Sequence, residues 1–222
     1  SKRYISRSIK DPKLREELIP KFPLGAKRVL FSDEFYFALD QENVEVVTNP
    51  IQEFFPKSIQ TEDGKKHDLD VLIYSTGFKT QPFLMGLEVV GKNGISIKKF
   101  WKDGPINYLG MTVNNFPNLF LMYGPNTNLG HNSIILMIEA QANYIAQCLD
   151  SIEKNKTPSL EVKNEVMKNY HDAIQVRLKK MIWLTVEKSW YISANGNLPN
   201  NWPGRTWEYM RKTKEVDFGD FN

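Results

Sequence analysis

The stretch Asp70-Val71-Leu72-Ile73-Tyr74-Ser75-Thr76-Gly77-Phe78 decides the fold class. Residues 71–74 are apolar and mostly β-prone and follow a charged segment, which predicts a strand buried on both faces. The strand ends in small residues, which allow a sharp turn and a close approach of the backbone to another group. In open α/β sheets, ligands bind at the carboxyl ends of such strands. The segment is therefore either a ligand-binding strand end or a core strand that simply ends in a glycine turn.

The composition argues against several classes of function. A net charge of +3 over 222 residues is too small to indicate a nucleic-acid partner. The single cysteine, Cys148, excludes an intramolecular disulfide framework and fits a reducing compartment, so we expect a cytoplasmic protein. The three histidines lack metal-ligand spacing, and no apolar run approaches the roughly 18 residues of a membrane-spanning helix. The chain starts with Ser1 rather than methionine, which suggests a processed, tagged or truncated chain.

The first third of the chain mixes short helices and strands. Asp11-Pro12 predicts a helix over residues 12–18, and Ser32 can cap a second helix over residues 33–39. Strands are expected at residues 44–47, 51–55 and 59–61, with a turn at Asp63-Gly64. This antiparallel meander should lead into the buried strand at Val71.

The remainder is dominated by two long helices. Residues 119–123 predict a second fully buried strand, and turns are expected at residues 91–94 and 103–105. The first long helix should run from His131 or Asn132 to about Glu153, and the second from Ser159 to about Trp183. The predicted inner stripe of the first comprises Ile134, Ile138, Ala142, Ile145, Leu149 and Ile152, and that of the second Val162, Val166, Tyr170, Ile174 and Met181. Cys148 is expected to pack in the core beside the first stripe. The tail from Ser189 has no periodicity and should wrap over the surface.

Three segments are candidates for chemistry. Residues 124–133 form a polar, turn-rich approach to the first long helix, whose free N–H groups and dipole suit an electron-rich or anionic group. The alternative is an ordinary capped helix with a long approach loop. Lys27-Arg28 lies on a loop behind Gly25 and is either a functional cation pair or solvated surface charge. Ser189-Trp190 lies near a Gly/Asn-rich loop, where the tryptophan could equally serve core or lid packing.

These units, in this order, resemble the carboxyl-terminal half of Baeyer–Villiger monooxygenases, flavin- and NADPH-dependent class B enzymes, and among them the hydroxyacetophenone-type branch. Residues 70–78 resemble the Ala-Thr-Gly-Phe/Tyr signature of these enzymes, with Ser75 in place of alanine. The other matching segments are Asp11-Pro12-Lys13-Leu14-Arg15, Gly25-Ala26-Lys27-Arg28, Asn43-Val44, Asp63-Gly64, Tyr108-Leu109-Gly110, Phe116-Pro117-Asn118-Leu119-Phe120, Gly124-Pro125-Asn126 and Ser189-Trp190.

The resemblance implies a role for each candidate residue. Arg28 would be the catalytic arginine that stabilises the flavin peroxide anion and the tetrahedral intermediate, a task suited to a permanently charged planar donor. Lys27 would contact NADP, plausibly at the phosphate that distinguishes it from NAD, and Trp190 would fold over bound NADP. The residues implied to line FAD are Thr76, Gly77, Gly124, Pro125, Asn126 and Asn132. The substrate class would be a ketone or aldehyde, oxygenated with O2 to an ester or lactone, without a nucleic-acid or membrane partner.

One departure from the family pattern shapes the expected fold. The dinucleotide fingerprint Gly-x-Gly-x-x-Gly is absent, although the family carries it twice. We therefore expect an α/β fragment of a flavoprotein with two dinucleotide-binding domains: residues 1–43 end the NADP domain and residues 44–222 form the second part of the Rossmann-like FAD domain, with two long helices and an irregular tail. Its partner would be the missing amino-terminal part of the same polypeptide. The alternatives are a monooxygenase that oxidises nitrogen or sulfur, which the Lys-Arg pair disfavours, and a non-catalytic module that has lost cofactor binding.

Overall fold

A computed structural model describes residues 2–77, 83–186, 189–193 and 195–222. The described residues fall into two compact units: residues 2–23 with 29–77, and residues 24–28 with those from 83 onward. The helices are α1 (Lys2–Ser8), α2 (Pro12–Glu17), α3 (Phe35–Leu39), α4 (Ile97–Phe100), α5 (Ile134–Asn155), α6 (Asn164–Leu178) and α7 (Thr206–Lys212), and the strands are β1 (Ile51–Phe55), β2 (Ser58–Thr61) and β3 (Lys66–Asp68). Short 3-10 turns lie at Lys92–Gly94, Ile182–Thr185 and Phe218–Asp220.

Local capping chemistry sets the helices of the first unit, much as the sequence predicts. The Asp11 side chain accepts the backbone N–H groups of Lys13 and Leu14 at the start of α2. Ser32 Oγ accepts the N–H groups of Glu34 and Phe35, at 3.3 and 3.1 Å, and α3 follows. These side-chain acceptors satisfy N–H groups that have no partner within a helix.

The predicted meander is confirmed for two of its three strands. β1, β2 and β3 form an antiparallel sheet in that order, and Gly64 makes the turn between the last two with a φ of +82°. Residues 44–47 are not a strand. The third strand of the sheet is instead β3, which pairs with β2. Its sequence, Lys66-His67-Asp68, is charged and has no apolar alternation that would predict a strand.

The predicted buried strand at residues 71–74 is wrong for this structure. These residues form no strand, and Val71 and Ile73 are 74% and 82% exposed. An apolar, β-prone run shows a preference for burial, but a strand also needs neighbours to accept its backbone hydrogen bonds. No neighbouring strand is present among the described residues, and Phe78 lies outside them.

The second unit is built on α5 and α6. α5 begins two or three residues later than predicted, directly after its cap Ser133, and α6 begins five residues later, directly after Lys163. The predicted inner stripe of α5 is displaced, since Leu149 is 53% exposed. The buried residues of α5 are Met137, Ala140, Gln141, Tyr144 and Cys148, and those of α6 are Met167, Ile174 and Leu178.

The displaced face of α5 has a specific cause. Gln141 is fully buried, its Oε1 accepting the N–H of Tyr123 at 2.9 Å and its Nε2 donating to the Tyr209 hydroxyl at 3.0 Å. A side-chain amide whose hydrogen bonds are all made can be buried in a core. A prediction from the spacing of apolar residues places such a glutamine on the exposed face of the helix. Core packing of Cys148 is confirmed: it is fully buried, and burial raises the pKa of its thiol to about 11.

The second predicted strand and the unstructured tail also need correction. Residues 119–123 form no strand, and Met122 and Tyr123 are about half exposed. In the tail, Leu198, Asn201 and Trp202 are buried, and α7 follows. Trp202 anchors this segment, because its indole Nε1 donates to the Arg205 carbonyl at 3.1 Å and its ring packs edge-on against Tyr209.

Candidate functional site

The loop ahead of α5 is held by contacts between two backbones. A Cβ on Gly124 would lie 2.2 Å from the Gly110 carbonyl oxygen, and a Cβ on Gly110 would lie 2.1 Å from Thr127 Cγ2. Gly110 also has a φ of +72°. Glycine at both positions therefore allows the Leu109-Gly110 and Gly124-Pro125 turns to meet.

The side chains of the predicted Gly-Pro-Asn turn face the protein interior. Asn126 is 1% exposed, and its Nδ2 donates to the carbonyls of Leu198 at 2.7 Å and Asn201 at 3.2 Å. Gly124 and Pro125 are buried as well. Any contact of this turn with a ligand would thus be made by its backbone, since the amide of Asn126 is engaged with the tail.

The start of α5 combines a capped first turn with an exposed asparagine. Ser133 Oγ accepts the N–H of Ile135 at 3.3 Å, and Asn132, exposed just ahead of it, accepts the N–H of Ser133 at 2.8 Å. The Asn132 amide donates to Thr206 Oγ1 over a long 3.4 Å. A 22-residue helix gives this end a positive dipole.

The predicted cation pair lies on the exposed surface of the second unit. Lys27 and Arg28 are both exposed, directly after the buried Ala26. Burial raises the pKa of the Tyr123 phenol, and the positive charge of Arg28 opposes that shift. Burial also raises the pKa of the Tyr191 phenol, and the positive charge of Arg28 opposes this shift as well. The charge of Arg28 is therefore felt by two phenols, which neighbour the predicted residues Gly124 and Trp190 in sequence.

Trp190 lies on a buried aromatic platform. Its ring centroid is 4.1 Å from that of Tyr191, with an interplanar angle of 37°, and Tyr191 in turn packs against Trp183 at 5.7 Å. Tyr191 is 2% exposed, whereas Trp190 is 37% exposed. One tryptophan thus remains accessible above a fixed support. We call Arg28, Tyr123, Trp190 and Tyr191 the Arg28 cluster.

Tyr123 is the member of the Arg28 cluster that sequence reasoning missed. It has a left-handed φ of +57°, which is rare for an aromatic residue and marks a backbone held in place by its surroundings. Its hydroxyl donates to Asn128 Oδ1 at 2.8 Å. In the sequence, the signal for Tyr123 is its position directly before Gly124. The prediction of a buried strand over residues 119–123 assigned Tyr123 to the core instead.

Thr76 and Gly77 belong to the first unit, and both are exposed. Gly77 has a φ of +90°, and a Cβ built there meets nothing within 4 Å. The glycine is therefore needed for the backbone conformation and not for packing. The predicted sharp turn at Ser75-Thr76-Gly77 stays a prediction, because the chain from Phe78 to residue 82 lies outside the described residues.

Among the described residues, neither a metal centre nor a membrane-spanning helix is found. No group of three or more His, Cys, Asp or Glu side chains there is arranged to hold a metal ion. None of the helices found in those ranges is long and apolar enough to cross a membrane.

Comparisons with known proteins agree with the resemblance seen in the sequence. No protein-family profile matches the chain. It is 39% identical over 215 residues to FAD-binding monooxygenase ktnD of Aspergillus niger, covering 95% of this chain and 35% of that protein. It is 36% identical to a Baeyer–Villiger monooxygenase of Pseudomonas aeruginosa, covering 97% and 41% respectively. Among solved structures, the complex of OTEMO with FAD and NADP superimposes with a TM-score of 0.87 at 26% identity, over 100% of this chain and 43% of that one.

The resemblance and the fold class are thereby confirmed. The chain has the fold of one part of a flavoprotein monooxygenase and spans less than half the length of these relatives.

Proposed function

Because this chain matches one part of Baeyer–Villiger monooxygenases over nearly its whole length, we propose that it is part of an NADPH- and FAD-dependent enzyme of that kind. The enzyme inserts one oxygen atom of O2 into a ketone or aldehyde and yields an ester or lactone. The observation that carries the proposal is the 36–39% identity across 95–97% of the chain, a range that includes Arg28 and its surroundings.

The residues of the second unit fit such cofactors. Arg28 is an exposed, permanent cation, and α5 presents its positive end beside a loop of backbone turns. Trp190 has an accessible ring on a fixed support. A cation, a helix amino terminus and an aromatic surface are groups that a flavin and a nicotinamide dinucleotide phosphate can use.

When bound, FAD supplies the activation of O2 and NADPH supplies the electrons. Arg28 stabilises negative charge that develops on oxygen during oxygenation, because a planar guanidinium offers several fixed donors. Lys27 contacts the phosphate that distinguishes NADP from NAD, and Trp190 covers NADP. Thr76, Gly77, Gly124, Pro125, Asn126 and Asn132 line FAD, with the Gly-Pro-Asn turn acting through its backbone.

We further propose that the rest of the same polypeptide covers the first unit. Among its described hydrophobic side chains only Ile5 and Ile9 are buried, whereas Leu30, Phe31 and Ile73 are more than 80% exposed. Exposed apolar surface on this scale marks an interface. The covering part would carry the dinucleotide fingerprints, with residues 1–43 ending the NADP domain and residues 44–222 completing the FAD domain. A cytoplasmic location remains a prediction from the single cysteine.

The proposal is tested on the full-length protein that contains this chain. Purified with FAD, it should oxidise NADPH in the presence of a set of cyclic and aromatic ketones and aldehydes, offered together with amines and sulfides. Mass spectrometry with 18O2 should find one labelled oxygen atom in an ester or lactone. Label found only in amine or sulfide oxides would favour the nitrogen- or sulfur-oxidising alternative, and a protein purified without flavin would favour the non-catalytic module.

A further inference from the structure

A group of buried asparagines joins the loop ahead of α5 to the tail. Asn126, Asn128 and Asn201 are 1%, 6% and 1% exposed. Asn128 Nδ2 donates to Asn201 Oδ1 at 2.6 Å, in addition to the two bonds from Asn126 to the carbonyls of Leu198 and Asn201. We call these three residues the asparagine clamp. Its contacts cross more than 70 residues of sequence, so it fixes one chain segment against another.

Backbone hydrogen bonds complete the junction. The N–H of Asn126 donates to the Pro199 carbonyl at 2.8 Å, the N–H of Asn128 to Asn200 at 2.9 Å, and the N–H of Trp202 to Asn128 at 2.9 Å. The two segments thus pair like a short piece of parallel sheet. Asn201 Nδ2 has no hydrogen-bond partner among the described residues, but the other buried donors and acceptors named here are paired. They favour one arrangement, because a displacement of the two segments would leave them unpaired.

The clamp reaches the loop that carries Trp190 through two connections. Asn200 Nδ2 donates to the Trp190 carbonyl at 3.3 Å. A tight turn, in which Ser193 Oγ and N–H both donate to the Asn197 carbonyl at 2.9 Å, folds residue 193 back onto residue 197. The backbone at Trp190, which carries the ring, is therefore tied to residues 198–201.

We propose that Asn126 is a positioning residue for the tail: its buried amide holds residues 198–201, and through them Trp190, in the orientation that receives the nicotinamide dinucleotide. The part concerning the dinucleotide rests on the proposed function. Asn126 then acts on cofactor binding through Trp190, with its own side chain facing away from any ligand.

The first test is Asn126→Asp in the full-length protein. The variant preserves shape but places a carboxylate against two carbonyl oxygens, so the clamp should open. We expect chymotrypsin, in the absence of NADPH, to cleave after Trp190 or Tyr191 about tenfold faster than in the parent. The KM for NADPH should rise about tenfold, and kcat at saturating NADPH should fall by a smaller factor.

The control is Thr213→Val. Thr213 is 1% exposed and donates to the Tyr209 carbonyl at 2.9 Å, so the variant also removes one buried hydrogen bond, but within α7 and away from the Trp190 loop. It should leave both the cleavage rate and the KM for NADPH unchanged. If Asn126→Asp does not fold, Asn200→Ala removes the direct bond to Trp190 and should give the same changes at smaller size.

A double-mutant cycle separates the clamp from the proposed function. In a Trp190→Ala background, Asn126→Asp should change the KM for NADPH less than twofold, because the two residues act in series. An undiminished effect in that background, or an unchanged cleavage rate in Asn126→Asp, would overturn the inference. Faster cleavage with an unchanged KM would support the clamp and contradict the proposed role of Trp190.

Discussion

At the scale of single residues, Arg28 is the permanent charge that we propose acts on the chemistry itself. Arg28→Ala should leave NADPH oxidation largely intact and reduce formation of oxygenated product by about a hundred- to a thousandfold, the typical loss when one such donor is removed. Stopped-flow absorbance of the flavin and chromatography of the product measure the two steps separately.

Arg28→Lys is the matched variant, since it retains the charge but loses the planar arrangement of donors. It should not restore product formation. Normal ester formation by Arg28→Ala would mean that the Lys27-Arg28 pair is surface charge.

Trp190 and Trp202 form a natural pair for a second prediction. Trp190→Ala should raise the KM for NADPH and increase the release of hydrogen peroxide, with a loss of stability well below the roughly 3–5 kcal/mol typical of a buried tryptophan. Trp202 is 1% exposed, and Trp202→Ala should show that large loss. Melting curves with and without NADP compare them. Equal losses without NADP would assign Trp190 to the core.

At the scale of single residues, sequence alone could indicate Lys27, Arg28 and Trp190 only through family resemblance. An exposed cation pair has no local signal that separates it from solvated charge. Tyr123 and Asn128 were invisible because their role arises from contacts across the fold, and an asparagine-rich loop predicts turns whether or not its amides are buried.

At the scale of elements, the junction between two glycine turns gives a third prediction. Gly124→Ala should destabilise the protein by roughly 1–3 kcal/mol, because its Cβ would meet the Gly110 carbonyl and the backbone would have to move. Gly130→Ala is the control, since a Cβ there meets nothing within 4 Å. Urea unfolding of the full-length variants measures the difference, and equal midpoints would contradict the tight junction.

Helix α6 supplies a prediction about pH. Burial lowers the pKa of His171 below its ordinary value, and the negative charge of Asp172 opposes this shift. The Nδ1 atom of His171 has no hydrogen-bond partner among the described residues. The unfolded chain therefore takes up a proton more readily, so stability falls as the pH drops through about 6.5, the ordinary value. The melting temperature should decrease between pH 7.5 and 5.5, and less so in His171→Gln. An identical decrease in both proteins would contradict this.

The elements also show where sequence patterns succeed. α2, β1 and β2 were predicted within a residue or two because caps and turns act locally. The two strands expected at residues 71–74 and 119–123 were wrong, since strand formation depends on neighbours that a local pattern does not contain. The buried face of α5 was misplaced by one satisfied glutamine.

At the scale of the whole molecule, the fifth prediction concerns this chain by itself. It should bind FAD weakly or not at all, because it lacks the glycine fingerprint that holds the pyrophosphate. Fluorescence titration of FAD measures this, with the full-length protein as the positive control. Submicromolar affinity would contradict the fragment hypothesis.

The first unit adds a physical reason for that expectation. With Ile5 and Ile9 as its only buried hydrophobic side chains among the described residues, its apolar surface resembles an interface more than an exterior. The family resemblance predicted the fold class of the chain, but composition did not reveal this exposure, since the apolar fraction is 41% and ordinary.

The contact between Gly110 and Gly124 also bears on protein engineering. Saturation libraries that aim to widen the substrate range often randomise every position of a loop near a cofactor. Here most variants at these two glycines would be lost to misfolding before any screen, because each added side chain meets backbone or a buried threonine. Gly130, a few residues along the same loop, faces open space. Diversity placed there would be tolerated, so a small library around Gly130 should yield more folded variants than a large one around Gly124.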